Sequence, residues 1–406
     1  MSYDVEAFRA QFPALADGVA HFDGPGGTQT PASVGEAIAR TLTGPLSNRG
    51  RSTLSERNAD DAVTGMREAV ADLLGVAASG VVYGRSATQL AYDFSRHLSR
   101  GWAAGDEVVV TRLDHDSNVR PWVQAAERQG ATVRWLELDP ATGEPVLDDL
   151  DGLVNERTRV VAVTAASNLI GTIPPVRRIA DAAHAVGALV YVDAVHFAAH
   201  HLVDADALGA DFVVVSSYKL LGPHAAVLGA DPALLERIHP DKLLPSTDVV
   251  PERFEFGTLP YELMAGVTAA VDAIAGLAPG AAGVSRREAL AASYEAIHAH
   301  ESALLARLER GLADLGDRVT VYSRAARRTP TVLMTFAGRP ASEVSAALAA
   351  RDIHAPSSNF YGLEASRALG LGDIGGLRVG LAPYSTEAEI DRLLAALDEL
   401  LSTRSP

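Results

Sequence analysis

From about residue 80 to residue 230, short β-rich runs alternate with segments of helical period, and this order restricts the chain to parallel strands covered by helices. The runs are Val81 to Tyr83, Glu107 to Thr111, Thr132 to Leu136, Arg159 to Thr164, Leu189 to Asp193 and Phe212 to Ser216. Several are almost wholly apolar, as strands buried on both faces must be. A chain of 406 residues exceeds what one hydrophobic core usually supports, so a second, smaller domain is expected. The Ala- and Leu-rich stretch from Arg286 to Leu315 has helical spacing and suits a connector into that domain. Beyond it, Val319 to Tyr322, Thr331 to Phe336 and Leu377 to Leu381 read as strands, and Ser342 to Ala350 and Thr386 to Leu401 as helices. The expected organisation is an N-terminal arm over 1–30, a large α/β domain over 31–285 and a small α+β domain over 286–406. Ser402 to Pro406 is expected to be a frayed tail.

Composition removes several function classes. The formal net charge of −16 argues against a nucleic-acid partner, because phosphate backbones need a basic face. Small molecules are the expected ligands. The chain has no cysteine, which excludes disulfides, thiolate metal sites and chemistry through the protein's own thiol. No apolar run approaches the roughly 20 residues that cross a bilayer, so no membrane is expected. Met1 to Arg9 lacks the basic and apolar regions of a signal peptide, and a cytoplasmic location is expected.

In open α/β sheets ligands bind beyond the carboxyl ends of the strands, so the residues just after each run carry the interest. Ser86-Ala87-Thr88-Gln89 opens a helix, and its free N–H groups and dipole favour a phosphate. A plain N-cap has the same sequence signature. Asp114-His115-Asp116-Ser117-Asn118 supplies an imidazole that could stack on an aromatic cofactor or serve as an ordinary loop histidine. Ser167-Asn168-Leu169-Ile170-Gly171-Thr172 is a polar turn whose Asn168 amide could bond a ring substituent. Asp193 ends a very apolar strand, where an unpaired charge is costly, and should face a cation such as a protonated pyridine nitrogen. Lys219, in Ser216-Ser217-Tyr218-Lys219-Leu220-Leu221-Gly222-Pro223, stands where a strand enters a Gly-Pro turn. A lysine so placed can form a Schiff base and act as a base, although taken alone it also fits a solvated loop.

Two patterns lead elsewhere. Gly370-Leu371-Gly372-Asp373-Ile374-Gly375 fits G-x-G-x-x-G but leads into a strand instead of following one, which fails the dinucleotide context. His196 and His200 are four apart with His201 beside them, but no Glu completes a zincin motif and no third ligand is evident, so no metal is expected.

Taken in order, these residues resemble the cysteine desulfurase branch of the class V aminotransferases over nearly the whole chain. Asp193-Ala194-Val195-His196 resembles the family's Asp-x-x-Gln/His cofactor motif. Ser216 to Pro223 resembles its Ser-x-His-Lys-x-x-Gly-Pro lysine motif. His21-Phe22-Asp23-Gly24-Pro25-Gly26-Gly27-Thr28-Gln29-Thr30-Pro31 resembles a desulfurase-like subgroup. The resemblance implies fold type I, with a mostly parallel seven-stranded sheet, and pyridoxal phosphate as cofactor. It implies that Lys219 carries the cofactor, Asp193 pairs with the ring nitrogen and His115 stacks on the ring. His196 and Asn168 would contact the ring hydroxyl, and Ala87, Thr88 and Ser216 the phosphate. Gly257-Thr258 resembles a segment that reaches the phosphate from the neighbouring subunit, implying a homodimer with shared active sites. Arg378 matches the arginine that grips the substrate carboxylate, with Arg49 a second candidate for substrate contact.

The departures bear on the reaction. Tyr218 stands where desulfurases commonly have His, and His196 where many have Gln. The loop from Ala355 to Gly362, where desulfurases carry the sulfur-accepting cysteine, has none. A persulfide therefore cannot form on this protein. What remains is chemistry at an amino acid's α-carbon, which Lys219 would start as base. The expected reaction is C–S β-lysis of cysteine or a cysteine conjugate, giving thiol, ammonia and pyruvate, a pattern that ergothioneine-pathway C–S lyases resemble. Transamination, epimerisation, decarboxylation and a non-catalytic protein of the same fold are the alternatives. Phe360, Tyr361, Tyr261 and Arg49 are the residues expected to decide the side-chain pocket.

Overall fold

The computed structural model describes residues 3–278 and 283–402. Ser402 closes the last helix, and the remainder of the expected tail, 403–406, lies outside the described residues. Seven strands form the main sheet: β1 (Val81–Gly84), β2 (Glu107–Thr111), β3 (Thr132–Leu136), β4 (Thr158–Thr164), β5 (Leu189–Asp193), β6 (Phe212–Ser216) and β7 (Ala226–Ala230). Their spatial order is β1-β7-β6-β5-β4-β2-β3. β7 runs antiparallel to both neighbours, and every other pairing is parallel. The first six strands fall on the apolar runs of the sequence. β7 escapes that reading because Ala226, Gly229 and Ala230 are poor strand formers and follow the Gly222-Pro223 turn almost at once.

The period of two sorts the strand residues onto two buried faces. Val109, Val161, Val163, Val190, Val192, Val213 and Val215 face one core, which they share with Val63, Met66 and Val70 of α1 (Leu54–Leu74). Val108, Val110, Ala162, Tyr191, Phe212 and Val214 face the other, against Leu90 and Phe94 of α2 (Ala87–Leu98) and Trp122 of α3 (Arg120–Gln129). Each fully buried Val or Phe contributes about 1.5–3 kcal/mol, so displacing a single strand exposes many kcal/mol of apolar surface. The strand ends are therefore fixed in space, and with them the loops that carry chemistry.

Helix α4 (Arg286–Asp314) opens with a capping box between Ser285 and Glu288 and spans about 44 Å at the α-helical rise. Its first half gives Leu290, Tyr294 and Ile297 to the large core, and its second half gives Leu304, Leu308 and Leu312 to a smaller one. That smaller core covers an antiparallel sheet of β8 (Val319–Val321), β9 (Thr331–Phe336), β10 (Ser357–Ser358) and β11 (Gly376–Gly380), in the order β8-β9-β11-β10. Helices α5 (Ala341–Ala349) and α6 (Glu387–Ser402) complete it. The N-terminal segment joins this part of the molecule: Ala20–His21 pairs in parallel with Ile353–His354, and Gly380 N–H donates to Phe22 O. A Cβ on Gly380 would lie 2.2 Å from the Pro25 ring, so only glycine lets the Gly24–Gly26 turn pack onto the end of β11 beside Arg378. The glycines of the 370–375 segment make left-handed turns into β11, which accounts for that pattern without a nucleotide.

Candidate active site

The carboxyl ends of β1, β2, β4, β5 and β6 open into a cavity of about 640 Å³ with a deeper chamber of about 70 Å³. Lys219, His115, Asn168 and Thr88 line both. Arg378 lines the outer part, and Asp193, His196, Ser216 and Ala87 line the inner chamber. Nine of the twelve cofactor and substrate residues singled out in the sequence thus meet at one place.

Lys219 is set by a tight turn after β6. Ser217 O accepts from the N–H groups of Leu220 and Gly222, and Ser217 Oγ donates to Pro223 O. The lysine is only 7% exposed. Burial, reinforced by the Arg378 charge and opposed by Asp193, pushes its pKa down to about 8. A useful fraction is then free amine near neutral pH, as a nucleophile or base requires. Asp193 is buried at the end of β5, where desolvation raises its pKa while the Val195 N–H, at 2.9 Å, and the Lys219 charge pull it back. A cation brought into the inner chamber would relieve that carboxylate.

His115 Nδ1 accepts the Ser117 N–H at 3.1 Å, which leaves the proton on Nε2, and burial lowers its pKa to about 3. The ring is therefore neutral, as a stacking surface needs. Behind it lies a residue the sequence did not distinguish from its polar neighbours. Asp114 is fully buried, accepts from Asn118 Nδ2 at 2.7 Å and from Thr111 Oγ1, and so anchors the loop that presents His115. Burial pushes its carboxyl up to about 8.

Two lining groups hold polar atoms that nothing in the chain satisfies. Asn168 Nδ2 donates to Phe360 O at 2.9 Å, but its Oδ1 is buried without a partner. His196 Nε2 is bonded to Thr329 and Thr331 hydroxyls at 2.9 and 3.0 Å, while its Nδ1 is buried and unpartnered. Buried orphans of this kind are costly and mark the place of a polar ligand group. At the same chamber, Ala87 and Thr88 begin α2, whose first amides have no partner inside the helix and favour an anion. An anion site, a carboxylate, two orphaned polar atoms and a lysine around one chamber fit a phosphorylated pyridine aldehyde.

Arg378 is 2% exposed, and among the described residues no carboxylate pairs with it. Its Nη1 donates to Asn168 O at 2.8 Å, its face lies 3.7 Å from the Phe360 ring centre, and its Nε is buried without a partner. The Nε–Nη2 edge is the fork left for an incoming carboxylate. Burial lowers its pKa to about 9, which still leaves it charged at neutral pH.

The other site expectations separate from this cavity. Arg49, Gly257, Thr258 and Tyr261 line a second cleft of about 570 Å³. Arg49 does not reach Lys219 within one chain, because Asp60, at 2.8 Å, and Glu252 hold its guanidinium. Phe360 and Tyr361 do line the cavity, with Tyr92 and Tyr218, which the sequence did not assign to its walls. The histidines beyond β5 are engaged elsewhere: His200 pairs with buried Glu301 at 2.9 Å, and His201 stacks on Phe197. Among the described residues, the three potential metal ligands that do converge are His21, Asp23 and His354, within 4.8 Å of one another. Composition also sets Lys219 apart. The chain has only two lysines, Lys219 and Lys242, among its 35 basic residues.

The family description Aminotransferase class-V matches residues 20–393. An uncharacterized protein of Mycobacterium tuberculosis, MT3887, is 36% identical, covering 98% of this chain and all of that one. A cysteine desulfurase of Pectobacterium carotovorum is 30% identical, covering 98% of each chain. The solved structure of the cysteine desulfurase CsdA from Escherichia coli, in an S-sulfonic acid form, superposes with a TM-score of 0.86 at 27% identity, covering 99% of both chains. The architecture is the expected fold type I. With its whole length aligned in this way, the chain belongs to the class V aminotransferase family, as a cysteine desulfurase-like enzyme of a group that depends on pyridoxal phosphate.

Proposed function

We propose that the protein is a C–S β-lyase that cleaves cysteine or an S-substituted cysteine, with pyridoxal phosphate held by Lys219. The observation that carries this reading is a buried, deprotonatable lysine facing an unpaired buried arginine, in a chain without a single cysteine. The first two supply amino-acid chemistry at the α-carbon. The last removes transfer of sulfur to a protein cysteine, so a desulfurase reaction through a persulfide on this chain is closed to it.

In this reading Asp193 would pair with the ring nitrogen, His115 would stack on the ring, and the unpartnered Asn168 Oδ1 and His196 Nδ1 would bond the ring hydroxyl. Ala87, Thr88 and Ser216 would hold the phosphate. The bound cofactor supplies an electron sink for the α-carbon. Arg378 would grip the substrate carboxylate through its free edge and fix the α-carbon near Lys219, whose amine, released when the substrate amine takes its place, would take the α-proton at Nζ. The electron pair so released breaks the C–S bond, the sulfur leaves as a thiolate and is protonated, and one water is consumed. Thiol, ammonia and pyruvate result, with no net oxidation.

A homodimer with shared sites belongs to the same proposal. Its support is the segment beside the second cleft, where Leu243, Leu244, Val249 and Phe256 stand exposed, Leu244 at 98%. Apolar groups so gathered mark an interaction surface. Gly257, Thr258 and Arg49 would then meet the Lys219 cavity of a second copy.

The test is a product assay of the protein loaded with pyridoxal phosphate, using cysteine and several S-substituted cysteines. Equal amounts of free thiol and pyruvate are expected. Amino-acid binding without C–S cleavage would assign the site to transamination, epimerisation or decarboxylation instead.

A further inference from the structure

We infer that the cavity selects amino acids whose sulfur carries a neutral aromatic group; this rests on the β-lyase reading for its reaction but not for its binding preference. The walls of the outer cavity are aromatic. Tyr92, Tyr218, Phe360 and Tyr361 all line it, and Tyr218 is held in place by stacking on His224 at 5.1 Å and 12°.

Phe360 and Tyr361 are put there at the expense of backbone strain. Both have left-handed φ, +51° and +59°, although neither is glycine, and consecutive aromatic residues seldom adopt that conformation. A set of hydrogen bonds holds it. Asn168 Nδ2 donates to Phe360 O at 2.9 Å, Asp116 N–H to Tyr361 O at 2.7 Å, and Tyr361 N–H to Asn359 Oδ1 at 2.9 Å. Asn359 Nδ2 in turn donates to Asp373 O at 2.8 Å. The result turns the Phe360 ring onto the Arg378 guanidinium and sets Tyr361 5.4 Å from the His115 ring. Tyr361 remains 71% exposed, so its ring is open to a ligand. Strain held in place by surrounding structure points to function, and here the function is a fixed aromatic wall around the substrate.

Charge points the same way. The charged groups lining the outer cavity are Asp116, Arg120, Lys219 and Arg378. Arg120 is committed to Asp116 at 2.7 Å and to Glu364 at 3.1 Å. Lys219 and Arg378 act on the α-amino and α-carboxylate ends. Among the described residues of one chain that line the cavity, no free charge is left for an acidic or basic substituent, which would lose its hydration without compensation.

The test titrates the cofactor-loaded protein with S-benzyl-cysteine, S-carboxymethyl-cysteine and cysteine, follows binding by absorbance and measures released thiol separately. S-benzyl-cysteine should bind at least about tenfold more tightly than the other two, and Tyr361→Leu should erase most of that preference. Tyr92→Leu, on a helix remote from the strained loop, should reduce it as well and guards against collapse of the loop in the first variant. Equal binding of all three amino acids, or a preference for S-carboxymethyl-cysteine, overturns the inference. Preferential binding of the benzyl compound without thiol release leaves the inference standing and overturns the lyase reading alone.

Discussion

Arg378 and Asp114 show how far burial alone sets the chemistry of single side chains. Arg378 has a backbone carbonyl on one nitrogen and a phenyl ring on its face; Asp23 acts on it electrostatically but forms no ion pair with it, so its free edge is open to an incoming carboxylate. Arg378→Lys keeps the charge and loses the fork. It should raise KM for the amino acid by about thirtyfold, or ~2 kcal/mol, with a smaller effect on kcat, as steady-state kinetics would show. Asp114 carries a different consequence. Its folded pKa of about 8 lies above its unfolded value, so between about pH 4 and pH 8 the folded state binds the extra proton and stability falls as pH rises. Asp114→Asn removes that titration. Thermal melts should show the wild type losing stability relative to the variant from pH 5 to pH 8; a constant difference would mean that Asp114 does not titrate in this window. Residue identity was legible in the sequence for Lys219, Asp193 and His115, because each follows an apolar strand. Asp114 was not, because only its tertiary partners, Thr111 and Asn118, set it apart from the other polar residues of its loop.

Among the elements, the strands that carry the site were readable because residues buried on both faces give continuous apolar runs. β7 was not, since it is built from small residues and is held by its two neighbours rather than by its own propensity. The loop over 355–362 was located in the sequence, but its conformation was not legible: the left-handed residues are Phe360 and Tyr361, types that seldom adopt it, and not the glycine that follows them. Helix α4 shows local sequence deciding an element outright. Its capping box at Ser285 and Glu288 satisfies first-turn donors of a helix that feeds both cores. Ser285→Ala should lower stability by about 1 kcal/mol in urea unfolding while leaving product formation at saturating substrate unchanged.

At the scale of the whole molecule, one chain brings nine of the expected residues to a single cavity and leaves Arg49, Gly257 and Thr258 at another. Gly257-Thr258 was assigned to a neighbouring subunit only through the family resemblance, because burial patterns within one chain do not record a partner. On the shared-site proposal, the exposed Leu244 and Phe256 belong to the contact between copies. The protein should be a dimer by light scattering, and Leu244→Glu with Phe256→Glu should shift it to monomer with loss of activity; a wild-type monomer of full activity would remove the shared-site proposal.

The central claim is that Lys219 holds the cofactor in the cavity at the end of β6. The chain's two lysines make it directly measurable, because Lys242 lines neither part of the cavity and pairs with Asp248. The protein loaded with pyridoxal phosphate is reduced with borohydride, digested, and its peptides weighed by mass spectrometry. The phosphopyridoxyl mass is predicted on the peptide containing Lys219 alone, in near-stoichiometric amount; its appearance on Lys242, or on neither lysine, would contradict the account.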